Sequence, residues 1–158
     1  MTNISVLAAL LGVSLALAGC NSSPQPSASR SVAAVQSVPF TPQNALARVN
    51  AYRQSQGAPP VRLDPVLMRA AAAHSKAMEA SRTMSHEVGG EFSTRLAAFG
   101  VGRVAAVENV AAGQRSLDQV MESWRNSSGH AANLRNPAMT RMGIAVAGGY
   151  WTLIMTAD

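Results

Sequence analysis

Cysteine is almost missing from this chain: Cys20 is the only one among 158 residues. No intrachain disulfide can form, so a folded domain here must be held by its core. Aromatic residues are scarce at 4%, which assigns each of them a specific place. Charged residues make up only 13%; the net charge of +5 is carried almost entirely by arginine, and no run of basic residues occurs. A nucleic-acid binder more often shows a basic stripe, so no nucleic-acid partner is expected. The charge reads as general surface charge, favourable near anionic lipids. There is no HExxH helix, no GxSxG elbow, no phosphate-binding glycine loop and no internal repeat.

What is present begins with an apolar run, "ISVLAALLGVSLALAG", from Ile4 to Gly19. It is short for a membrane span, which needs about 20 apolar residues. Its position reads as a secretory signal, although the preceding "MTNIS" lacks the usual lysine or arginine. The run closes on "LAGC", which resembles the bacterial lipobox; residues 1–20 are therefore expected to be a lipoprotein signal peptide, with Cys20 the lipidated residue. Lipidation would remove the thiol from any nucleophilic role and anchor the chain in a membrane. The next residue is Asn21 rather than Asp, which points to the outer membrane if the cell is Gram-negative. Residues 21–40 are rich in Ser, Pro, Gln and Ala and read as a flexible tether.

The remaining chain, 41–158, carries the fold, with 47% hydrophobic residues overall and enough length for a real core. Thr41 and Pro42 open a helix over 42–55 that ends before Gly57. Asp64 and Pro65 open a second over 65–81, with Leu67, Ala71, His74 and Met78 on one stripe. His74 is thus expected to be a packed, hydrogen-bonded core residue. "GEFSTRLAAFG" predicts a short third helix ending near Gly100, and "AAVENVAAG", Ala105 to Gly113, a strand or extended segment. Ser116 and Gln119 form a capping box ahead of an amphipathic helix bearing Leu117, Val120, Met121 and Trp124. Gly129 and the polar residues before it are expected to stop that helix. Gly148-Gly149 predicts a hairpin with strands at 142–147 and 150–156, the second apolar enough to be central. Helices first and a hairpin last favour an α+β fold with helices packed on an antiparallel sheet.

Three polar residues stand out, each expected at or beside a loop: His86 in "MSHEVG", Glu108 in "VENVA" and His130 in "SSGHAANL". Two imidazoles and a carboxylate would suit a divalent ion such as zinc, with water in an open position. Without metal they would form a hydrogen-bonded histidine–glutamate network.

The ordered set "VNAYRQSQG", "LDPVLMRAAAAHSKAM", "MSH", "ENVAAG", "SWRNSSGHAANL" and "MGIAVA…YWTLIM" resembles the bacterial SCP-like domains of the CAP superfamily, related to cysteine-rich secretory proteins, antigen 5 and group 1 pathogenesis-related proteins. The resemblance covers roughly 42–157 and implies an α–β–α sandwich, a small antiparallel sheet covered by helices. It implies a cleft in which His86, Glu108 and His130 meet, the candidate metal ligands and, if there is catalysis, the candidate catalytic residues. Arg95 matches a recurrent arginine taken as structural; Asn109 and Asn126 are expected to satisfy backbone groups. Two departures appear. Val107 stands where many members have glycine, and Ser127 stands where many carry a second glutamate, three residues after Trp124. Glu87 and Glu122 are weak substitutes. With one carboxylate in place of two, a paired acid/base scheme is disfavoured.

The expectation is therefore an envelope-anchored, monomeric, non-enzymatic binding module for lipid, sterol-like or glycan ligands, with a cleft able to hold a divalent metal such as zinc. The alternative is a metal-assisted hydrolase, protease-like or nuclease-like, of the envelope or extracellular space.

Overall fold

The computed structural model describes residues 39–158. Cys20, the signal segment and nearly all of the tether lie outside the described residues.

Each helix starts where a cap satisfies its free N–H groups. Helix α1 (Pro42–Ser55) is capped by the Thr41 hydroxyl, which accepts from Asn44 N at 3.1 Å. Strand β1 is only Arg62–Leu63. Helix α2 (Pro65–Ser81) begins on Asp64, whose carboxylate accepts from Val66 N and Leu67 N, and ends on Arg82 in the left-handed region. Burial pushes the Asp64 carboxyl up, but those two N–H groups and the Arg141 guanidinium outweigh it and hold the pKa low. A loop leads to α3 (Phe92–Ala98), then β2 (Ala106–Ala112). Helix α4 (Leu117–Asn126) opens on the Ser116 capping hydroxyl, while the Gln119 side chain accepts from Arg115 N. Helix α5 (Ser128–Arg135) follows, and β3 (Arg141–Ala147) and β4 (Tyr150–Thr156) form the closing hairpin. Gly148 and Gly149 both take positive φ, as the tight turn requires.

The sheet order is β1-β3-β4-β2. Strand β4 is central, antiparallel to both β3 and β2, as its apolar run implies. The short β1 adds a parallel edge beside β3, which the sequence pattern does not reveal: two residues are too few to show an alternation. Alternation along β4 sends Trp151, Leu153 and Met155 to one face, where α1, α4 and α5 cover them with Val49, Trp124 and Leu134. Ile154 faces the other way, against Leu67 and Ala71 of α2 and Leu96 of α3. Helices thus cover both faces, giving the α–β–α sandwich.

Two contacts set these layers. Gly143 pairs with Ile154 on the α2 face, and any Cβ there would run into the Leu67–Met68 backbone, so only glycine lets α2 lie this close to β3. On the opposite face, fully buried Arg53 of α1 donates to the carbonyls of Pro59, Leu134, Asn136 and Met139 at 2.7–3.0 Å. One guanidinium therefore closes the C-terminal end of α5 and the lead-in to β3.

Candidate functional site

The site grows from edge strand β2. Its alternation places Glu108 opposite Ile154, on the α2–α3 face, and Asn109 opposite Leu153, on the α4–α5 face. An edge strand tolerates these neighbouring polar residues only because each finds partners. The Trp124 indole donates to Val110 O at 3.3 Å and the Asn133 amide to Glu108 O at 3.2 Å, sealing two strand carbonyls.

The Glu108 side chain is 2% exposed, and three basic groups surround it. Nη2 of Arg95 lies 2.9 Å from both carboxylate oxygens. Nδ1 of His86 lies 2.9 Å from Oε1, and Nε2 of His74 lies 3.7 Å from the same atom. Arg95 reaches the carboxylate from α3 with its guanidinium 5.5 Å from the Phe92 ring centre. The same arginine donates to Gly90 O at 3.0 Å and His86 O at 2.9 Å. It therefore fixes both the carboxylate and the loop that carries His86. Facing a carboxylate oxygen, Nδ1 of His86 is the donor, and Nε2 lies on the other side of a ring whose side chain is 49% exposed.

His74, buried on the α2 stripe as expected, is also part of this cluster. The expectation that it is hydrogen-bonded does not hold: neither ring nitrogen closes a hydrogen bond. The cause is the 3.7 Å gap to Glu108, whose oxygens are already taken. Burial lowers its pKa; Glu108 and the Val88 backbone, which approaches the ring without closing a hydrogen bond of sound geometry, oppose this, while Arg95 and His86 reinforce it. The ring is neutral at pH 7 on that balance.

Glu108 is the third residue of β2, where a strand or extended segment is expected over Ala105–Gly113. One local expectation needs correction. His130 lies in the first turn of a new helix. Ser127, in extended conformation, breaks the chain between α4 and α5, and its carbonyl accepts from Ala131 N at 2.8 Å to start α5. Gly129 is ordinary helix. Ser127, where a second glutamate is missing, is thus the hinge that delivers His130.

His130 joins the cluster less directly. Its carbonyl accepts from the Asn109 amide at 3.1 Å, and Asn133 donates to Asn109 Oδ1 at 2.9 Å. Its Nδ1 is buried without a partner. Burial lowers its pKa, and the His86 charge adds to the effect. Asn133 is the residue that sequence reasoning missed; its signal is the i, i+3 spacing from His130, legible only once α5 is known to be a helix. Glu87 is exposed, and Glu122 lines a separate shallow groove with Gln119 and Asn126. Neither replaces the absent carboxylate.

Glu108 cannot bind an ion without giving up Arg95 or His86. Among the described residues, no group of three His, Cys, Asp or Glu side chains is placed to share a metal. Glu108 stands behind His86 as an orienting carboxylate.

Residues 46–154 match the family model for CAP, the cysteine-rich secretory protein family. The chain belongs to that family. The YkwD protein of Bacillus subtilis is 35% identical over 108 residues, covering 65% of this chain. The chain spans only 42% of the length of that relative. An extracellular protein of Bacillus anthracis containing an SCP domain superposes with a TM-score of 0.71 at 27% identity, over 77% of this chain and 45% of its own. An outer surface protein of Borrelia burgdorferi shares the CAP fold at TM-score 0.67 and 17% identity, over 73% of this chain and 91% of its own.

Proposed function

We propose that this CAP domain is a non-enzymatic binding module of the bacterial cell envelope, held at a membrane by lipid on Cys20. The observation that carries the reading is the commitment of Glu108. Both carboxylate oxygens are paired with Arg95, one also with His86, and no second carboxylate stands at Ser127. The cleft therefore offers no free carboxylate for acid/base work. What it presents outward is the ring of His86, and His130 is the second histidine of the proposed pair. These suit a modest, exchangeable divalent ion such as zinc, and the ligands in view are lipid, sterol-like or glycan molecules of the envelope. The Bacillus anthracis neighbour is an extracellular protein, which supports a place outside the cytoplasm. Asn21 after the lipidated cysteine favours the outer membrane in a Gram-negative cell.

A hydrolase is the second reading, and one feature favours it. A carboxylate-oriented histidine with a half-exposed ring is also how a general base is set up. A zinc ion held by His86 and His130 would supply an activated water there. The experiment compares the full chain with the His86→Ala/His130→Ala double variant on protease and nuclease substrates, and analyses native protein by mass spectrometry. An acylated Cys20, a retained envelope molecule and equal absence of turnover in both proteins are expected. Turnover in the wild type that is lost in a folded double variant would replace this reading with the hydrolase.

A further inference from the structure

Beside Arg95, a cavity of about 300 Å³ opens between α2, α3 and the loop that joins them. Ala70, Ala73 and Ala77 form one wall, at helical spacing along α2, and Ala98, Phe99 and Val88 complete the apolar lining. Small side chains leave this space where larger ones would have filled it. Three polar side chains line it, His74, Arg95 and, on the α3 side, Thr94. His74 has a side chain 1% exposed with both ring nitrogens unpartnered. Arg95 presents a guanidinium already neutralised by Glu108. An unpartnered buried imidazole costs stability unless something supplies its hydrogen bonds.

We propose that this cavity is a binding site for a compact, uncharged molecule with an apolar body and one hydroxyl group, the hydroxyl meeting His74. The proposal rests on the reading of the domain as a binding module but assigns a different place from the His86 face. Charge selects against ions of either sign. An anion would compete with the Glu108 carboxylate for Arg95, and a cation would be buried against that arginine. The neutral imidazole has one donor and one acceptor, and a hydroxyl is the smallest group that can serve either. Burial holds His74 neutral, which supports this match. The volume is at the lower end for ligand pockets, which favours one or two rings over an extended acyl chain.

The test titrates the full chain with 2-naphthol, naphthalene and 2-naphthoate while following alanine methyl signals by NMR. Saturable 2-naphthol binding is expected, with shifts at Ala70, Ala73 and Ala77. Naphthalene is expected to bind about tenfold more weakly, and 2-naphthoate at least as weakly. His74→Phe is expected to erase the preference for 2-naphthol over naphthalene. Ala73→Leu and, separately, Ala98→Leu are expected to remove binding while melting remains cooperative; the pair guards against one variant misfolding. No saturable binding to the wild type, shifts located elsewhere, 2-naphthoate binding as tightly as 2-naphthol, or binding untouched by both leucine variants would each overturn the proposal. Zinc binding at His86 and His130, followed in the same spectra, reports on the cleft separately. Failure in the cavity with zinc still bound is therefore distinguishable from failure of the binding-module reading.

Discussion

Arg95 Nη2 lies 2.9 Å from each oxygen of the Glu108 carboxylate, in a setting where the glutamate is 2% and the arginine 11% exposed. This pair joins α3 to edge strand β2, and Arg95 also holds the loop between α2 and α3 through the His86 carbonyl. Breaking a buried pair by removing one member typically costs about 3–5 kcal/mol, because the other charge is left uncompensated. Glu108→Gln and Arg95→Met are each expected to lose stability near the lower end of that range in urea unfolding. The double variant should lose clearly less than the sum, since the second change removes the orphaned charge.

Acid should destabilise the domain through its buried histidines. Burial lowers the folded-state pKa of both His74 and His130. The unfolded chain therefore binds protons first, and stability that is full above about pH 6.5 declines as pH falls below it. Around His74 the charged neighbours are Glu108 on β2, Arg95 on α3 and His86 on the loop, so the variant must leave all three in place. His74→Phe is expected to flatten the fall in Tm between pH 7 and pH 5. The Asp64 cap, whose pKa is lowered, adds a separate loss only below about pH 4.

Gly143→Ala tests the close approach of α2 to β3. The added methyl meets backbone, which cannot turn aside as a side chain can. A loss at the upper end of the overpacking range, about 3 kcal/mol, is expected in chemical denaturation, with the hairpin strands shifted in amide NMR spectra.

Arg53→Met should cost about 3 kcal/mol or more. It removes the guanidinium donor from three carbonyls between the end of α5 and the start of β3, Leu134, Asn136 and Met139, and from Pro59 O between α1 and β1. Hydrogen exchange should rise first in α5 and β3.

Much of this architecture is legible in the sequence. Thr41-Pro42, Asp64-Pro65 and Ser116 mark three helix starts because capping is local chemistry. The hairpin follows from Gly148-Gly149 and the apolar run after it. The parallel β1 edge is not legible, since a two-residue bridge depends on which strand lies nearby. Nor is the break at Ser127, because "NSSGH" reads equally as a loop or as the first turn of a helix. The meeting of His86 with Glu108 rests on the family resemblance, not on spacing. The roles of Arg95 and His74 emerge only when α2 and α3 are laid on the same face of β2.

The most direct measurement records imidazole nitrogen and Glu108 carboxyl carbon NMR signals of the full chain during a zinc titration. His86 is expected to hold its proton on Nδ1 throughout and to take zinc on Nε2 together with His130, while the Glu108 carboxyl signal stays close to its metal-free position. A His86 ring protonated on Nε2, or a Glu108 carboxyl that moves onto the ion and releases Arg95, would contradict the assignment of Glu108 as an orienting group and reopen the cleft to carboxylate-based catalysis.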